Sequence, residues 1–143
     1  LLYYAFTSER VVKQRLFALV LLLLCNVAFW ASFEQAGNSL NFFAANHIIP
    51  LSIGGWTMVP EDFQSVNAIG IVLLGPVFAW LWVRLARANA NPSIPAKFGL
   101  GLIQVGLGFG LLLVGIKAAN DQGQIPWTWL MGLYLIHTMG ELC

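Results

Sequence analysis

Leu16 to Phe33 reads LFALVLLLLCNVAFWASF, eighteen residues without a charge. About 20 such residues, rising 1.5 Å each as a helix, cross the hydrocarbon of a bilayer. The rest of the chain shares the bias. Of its 143 residues 59% are hydrophobic and 9% charged, with a mean hydropathy of +0.77, where soluble domains carry about 25% charged residues. An integral membrane protein is predicted. The net charge is +1 and the basic residues sit in loops rather than in a stripe, so nucleic-acid binding has no electrostatic footprint. Cys25 and Cys143 lie in apolar segments without metal-ligand or disulfide spacing and read as small apolar filler.

Helical character continues past Glu34 to about Ile49, where Pro50 stops it. A segment over about 14–49 is too long for an upright span, so it should tilt or kink, and AGNS at Ala36 to Ser39 is where glycine and small polar residues favour a kink. Leu51 to Pro60 reads as a loop. Pro60, Glu61 and Asp62 then open a second span, over about 61–88, because proline suits a first turn and acids face the positive end of the helix dipole. Gly75 and Pro76 lie inside that span, where packed neighbours can absorb the lost hydrogen bond. A third span covers about 96–119; its six glycines, Gly99, Gly101, Gly106, Gly108, Gly110 and Gly115, permit close helix approach. Pro126, Trp127 and Trp129 open a fourth span over about 126–143 with an interfacial aromatic group.

The fold class is therefore all-α integral membrane, a single four-helix transmembrane bundle over 1–143. Leu1 in place of methionine, the lack of signal-peptide features and an end inside an apolar helix imply a fragment. Arg10, Lys13 and Arg15, with Arg84, Arg87 and Lys97, place the loop between spans two and three and the start of the chain on the cytoplasmic side.

Polar residues inside these spans need a reason. Glu141 in Leu130 to Cys143 (LMGLYLIHTMGELC) matters most, because a charge at the bilayer centre costs roughly 2.5–3.5 kcal/mol and marks a transport path or proton relay. Low dielectric favours the neutral form of a carboxylate unless a nearby cation stabilises the charged one, so such an acid can exchange its proton when its neighbour moves. His137 lies four residues before it on the same face; a zinc site would need a third ligand, which is not apparent, so no metal or other cofactor is expected. His137 reads as packed and hydrogen-bonded. In span one, Trp30, Glu34, Asn38 and Asn41 recur at helical spacing and are expected on one face, turned to a cavity or a neighbouring helix. Asn38, Ser39 and Asn41 suit interhelical hydrogen bonds equally well. Gln64 and Asn67 share a face at spacing three, where amides suit either a polar helix end or a substrate with amide groups or a terminal carboxylate. Gln104 reads as a packing residue.

Phe29 to Gln35 (FWASFEQ) with Gly37 and Ser39, Gln64 to Asn67 (QSVN) and Gly140 to Leu142 (GEL), in this order and in these spans, resemble the proton-coupled oligopeptide transporters of the major facilitator superfamily. The likeness covers essentially the whole chain, which corresponds to helices seven to ten, part of the C-terminal six-helix half. It implies a symporter that imports di- and tripeptides with protons across the inner (plasma) membrane by alternating access, not an enzyme. It further implies that Glu141 faces a lysine of the absent N-terminal half near the bound peptide's amino terminus, and that Asn67 and Trp30 contact the substrate. Glu34 is implied to pair with an arginine when the outer gate closes; Phe33 stands where some relatives carry a second acid. The partners implied are the peptide, protons, the lipid bilayer, the N-terminal half and the remaining C-terminal helices. Rival readings are a carrier of nitrate or another small anion on the same scaffold, a structural four-helix subunit, and an enzyme using Glu141 and His137. The last lacks a nucleophile or metal set.

Overall fold

The structure, a computed structural model, describes residues 10–143; the opening residues on which the signal-peptide reading rests lie outside the described residues. The elements run in the order α1 (Arg10–Phe33), a 3-10 turn (Glu34–Gly37), α2 (Ser39–His47), β1 (Ile48–Ile49), β2 (Ser52–Ile53), β3 (Trp56–Thr57), α3 (Asp62–Arg87), α4 (Ile94–Lys117), β4 (Ile125–Pro126) and α5 (Trp127–Glu141). Three helical stretches are long and apolar enough to cross a membrane: Arg10–His47 with its internal break, Asp62–Arg87 and Ile94–Lys117. The fourth, α5, has 15 residues. The protein is an all-α membrane bundle with a small amount of β structure at one end.

The first span breaks within AGNS, at Asn38, after a change of helix type that begins at Glu34. The 3-10 turn begins at Glu34, and Asn38 leaves helical geometry at φ −126°, ψ −92° before α2 starts at Ser39. A broken helix inside a bilayer must satisfy the carbonyls it frees. Here side chains do so: Gln35 Nε2 donates to the Ala31 carbonyl at 3.0 Å, the Ser39 hydroxyl donates to Gln35 Oε1 at 2.7 Å, and the buried Tyr134 hydroxyl of α5 donates to the Ala36 carbonyl at 3.3 Å. The expected single face of Trp30, Glu34, Asn38 and Asn41 is interrupted at Asn38, whose dihedrals leave the helix, whereas Phe33 keeps helical dihedrals ahead of Glu34.

The other termini follow local chemistry. Asp62 Oδ2 accepts the Val59 N–H at 2.9 Å, so the acid fixes the entry of α3. At the far end Asn89 adopts φ 54°, and the Asn89 and Ala90 N–H groups bond back to Ala86 and Leu85, a left-handed cap of the kind asparagine tolerates. Ser93 caps α4 by accepting the Ala96 N–H at 3.4 Å. Residues 48–57, expected as helix end and loop, instead form two-residue strands. β1 pairs in parallel with β4, joining the end of α2 to the start of α5, and β2 pairs with β3 across Gly54 and Gly55, whose φ values of 58° and 86° such a tight turn requires.

The packing seam runs between α4 and α5. Gly101, Val105, Gly108, Leu112 and Gly115 are the buried residues of α4, at alternating steps of four and three. That is a heptad stripe. A Cβ on Gly101, Gly108 or Gly115 would come within 3.0 Å of the Gly140 carbonyl oxygen, 2.5 Å of the His137 ring and 2.7 Å of the Trp129 ring respectively. Gly99, Gly106 and Gly110 face no neighbour within 4 Å among the described residues, so only half of the predicted glycines serve close approach.

Candidate functional site

Glu141 is the last residue of α5, and its height is set by the backbone crossing one residue before it. Gly101 and Gly140 approach so closely that a Cβ on either would lie 3.0 Å from the other's carbonyl oxygen. No side chain fits between them. From there the Glu141 carboxylate meets α3: Asn67 Nδ2 donates to Glu141 Oε2 at 3.0 Å and to the Thr138 hydroxyl oxygen at 3.1 Å. Thr138 Oγ1 in turn donates its proton to the Tyr134 carbonyl at 2.8 Å. Among the described residues Glu141 has no ion pair, so an amide rather than a cation meets its charge.

Two hollows flank this link. One, of about 250 Å³, is lined by Asn26, Phe29, Trp30, Lys97, Glu141 and Cys143 among others. The other, of about 200 Å³, is lined by Phe33, Glu34, Gln64, Asn67, Tyr134 and His137, with Ala36 and Gly37. The bonded pair Asn67 and Glu141 thus has one member in the wall of each hollow, between α3 and α5.

The residues singled out from the sequence divide accordingly. Trp30 shares a hollow with Glu141, while Glu34 shares the other with Asn67 and Gln64. Glu34 is exposed and has no ion pair among the described residues. Phe33 packs its ring on Phe29 (5.6 Å), Trp30 (5.4 Å) and His137 (6.1 Å). His137 is buried, its Nε2 lies 3.1 Å from the Val105 carbonyl, and Phe109 meets its ring edge-to-face at 5.0 Å. A carbonyl only accepts, so Nε2 carries the proton. Although His137 and Glu141 are four residues apart, they engage different helices, α4 and α3. Gln104 packs as expected, donating to the Leu100 carbonyl and to Cys143 Sγ.

Three participants are not picked out from the sequence. Lys97, read only as flanking the cytoplasmic loop at the start of the third span, has its Nζ 4.1 Å above the Trp82 ring and lines the hollow of Glu141. Trp82 also ties α3 to the end of α5 by donating Nε1–H to the Leu142 carbonyl. Thr138 was overlooked although it lies three residues before Glu141, on the same face, where a hydroxyl in an apolar helix is itself a signal.

Comparison with known proteins identifies the setting of this site. The chain is 36% identical over 136 residues to the uncharacterized transporter YclF of Bacillus subtilis (95% of this chain, 27% of that protein). It is 35% identical over 134 residues to the peptide transporter YePEPT of Yersinia enterocolitica (92% and 26%), and 32% identical over 139 residues to dipeptide and tripeptide permease B of Salmonella typhimurium (96% and 28%). The chain therefore spans little more than a quarter of the length of these curated relatives. Among solved structures it resembles peptide transporter POT with sulfate (TM-score 0.84, 36% identity, 95% of this chain and 27% of that chain) and a mutant of peptide transporter POT with alafosfalin (0.85, 34%, 99% and 29%). It also resembles a POT family transporter with 5-aminolevulinic acid (0.81, 29%, 99% and 30%). A family model described as the POT family matches residues 4–143, nearly the whole sequence, and the chain belongs to that family.

Proposed function

We propose that the protein is a proton-coupled symporter importing di- and tripeptides by alternating access across the inner (plasma) membrane, and that this chain supplies four spans of its C-terminal half. The observation that carries this reading is the Asn67 to Glu141 hydrogen bond joining α3 to α5 between two hollows. Both N–H groups of Asn67 are used, on Glu141 and Thr138, which leaves the carbonyl oxygen at the other end of the amide as an acceptor. A carboxylate and an amide oxygen are both groups that attract an ammonium group, the amino terminus of a peptide. The names of the relatives, peptide transporter and dipeptide and tripeptide permease, support the same substrate class.

In this mechanism Glu141 alternates between a charged form, held by Asn67 and by a lysine of the N-terminal half, and a protonated or peptide-bound form. Trp30 forms the wall of the substrate hollow and Asn67 anchors the ligand. Glu34, exposed at the break of the first span, supplies the acid of the outer gate, and its protonation releases an arginine of the other half. Rocking of the two helical bundles about this midplane site then carries peptide and proton together. The test is uptake of labelled dipeptide into proteoliposomes containing the full-length protein under an imposed proton gradient. Unlabelled dipeptide should compete and nitrate should not, and Glu141→Gln should abolish concentrative uptake. Normal accumulation by that variant would remove Glu141 from the coupling role.

A further inference from the structure

We infer that Thr138 is a positioning residue that fixes which way the Asn67 side-chain amide points, and through it the hydrogen bonding of Glu141. The inference rests on the site proposed above but not on the identity of the substrate. Thr138 is fully buried, and its hydroxyl proton is committed to the Tyr134 carbonyl at 2.8 Å, one helical turn back. Its oxygen therefore presents only lone pairs to α3. Facing it at 3.1 Å is the Asn67 amide, whose second partner is Glu141 Oε2 at 3.0 Å.

Two acceptors, one neutral and one a carboxylate, thus face one amide end. With the NH2 group there, both are satisfied. With the amide turned over, its oxygen would oppose both, and the hydrogen bond to the carboxylate would become a repulsion. A carboxylate alone would bias the amide while it is charged; the Thr138 oxygen maintains the bias when Glu141 is neutral. Thr138 thereby keeps Asn67 ready to receive the carboxylate each time it loses its proton. The Thr138 methyl group closes the same contact, lying against Gly70 of α3, where a Cβ would come to 3.0 Å from it. Backbone approach at Gly70 and hydroxyl polarity at Thr138 together set the Asn67 geometry.

The test is the rate at which a hydrophobic carbodiimide, which adds to neutral carboxyl groups, labels Glu141 in the full-length protein in liposomes, measured by mass spectrometry. Thr138→Val keeps the shape and removes the acceptor, and should speed labelling severalfold, about what the loss of one neutral hydrogen bond gives. Thr138→Ser retains the hydroxyl and should label at the parent rate. In an Asn67→Ala background, Thr138→Val should add nothing, because Thr138 acts through Asn67. If the valine variant cannot be recovered folded, Thr138→Ala takes its place against Thr138→Ser. Parent-rate labelling of the valine or alanine variant, a serine variant as fast as valine, or an undiminished effect in the Asn67→Ala background would each overturn the inference. The expected labelling pattern in a protein that takes up no dipeptide would uphold it while removing the proposed substrate.

Discussion

Asn67 and His137 show how differently two polar side chains can be used in one bundle. Asn67 is half-buried and spends both of its donors on α5, one of them on a carboxylate. Removing it leaves Glu141 without its described partner and, under the proposed function, takes away one ligand contact. Asn67→Ala should therefore raise the apparent KM for a dipeptide by tenfold or more, as losing a hydrogen bond to a charged group, worth roughly 1.5–3 kcal/mol, requires. His137 is enclosed by Phe33, Phe109 and the Val105 carbonyl, and among the described residues it makes no ion pair with Glu34, which lines the same hollow. It is a packing group with one hydrogen bond. His137→Phe should cost about 1 kcal/mol in stability and lower the melting temperature in detergent, while leaving the pH profile of uptake unchanged. A displaced profile would make His137 a participant in proton transfer.

At the scale of elements, the seam between α4 and α5 is decided by which glycines face a neighbour. Gly108 has the His137 ring where its Cβ would be, at 2.5 Å, whereas Gly106, two residues earlier, faces open space. Gly108→Ala should lower stability by about 1–3 kcal/mol through overpacking. Gly106→Ala should be neutral or slightly stabilising, since alanine is the better helix former. Thermal unfolding of the two variants in the same detergent compares them directly, and equal loss at both positions would contradict the seam. The break in the first span is a second element-scale device. Tyr134 and Gln35 donate to the Ala36 and Ala31 carbonyls at the break, and Ser39 holds the Gln35 side chain. It separates the segment bearing Trp30 from the one bearing α2.

At the scale of the whole molecule, two acids of the described chain are left without an ion pair, although Lys97 lines the hollow of one of them. Glu34 and Glu141 have no ion pair among the described residues, as expected if their partners belong to the other half of a transporter. Glu34→Gln should slow proton-driven dipeptide uptake severalfold while leaving counterflow exchange of peptide largely intact, the signature of a gate rather than a binding group. Equal loss of both would place Glu34 in the substrate site instead.

What the sequence determined by itself was the class of the molecule and its most polar intramembrane positions, because hydrocarbon punishes every exposed polar group and leaves only apolar runs with a few conspicuous exceptions. Glu141 and Asn67 were legible for that reason, as were the glycine-rich α4 and the helix starts at Pro60 and Pro126. Only the tertiary structure decided which exceptions meet. Helical spacing placed Trp30 with Glu34 and His137 with Glu141, but the first pair line two different hollows, and packing against two different helices parted the second. Spacing reports neighbours along one uninterrupted helix; it carries no information about a break, or about Thr138 and Asn67, which lie 71 residues apart in the chain and 3.1 Å apart in space.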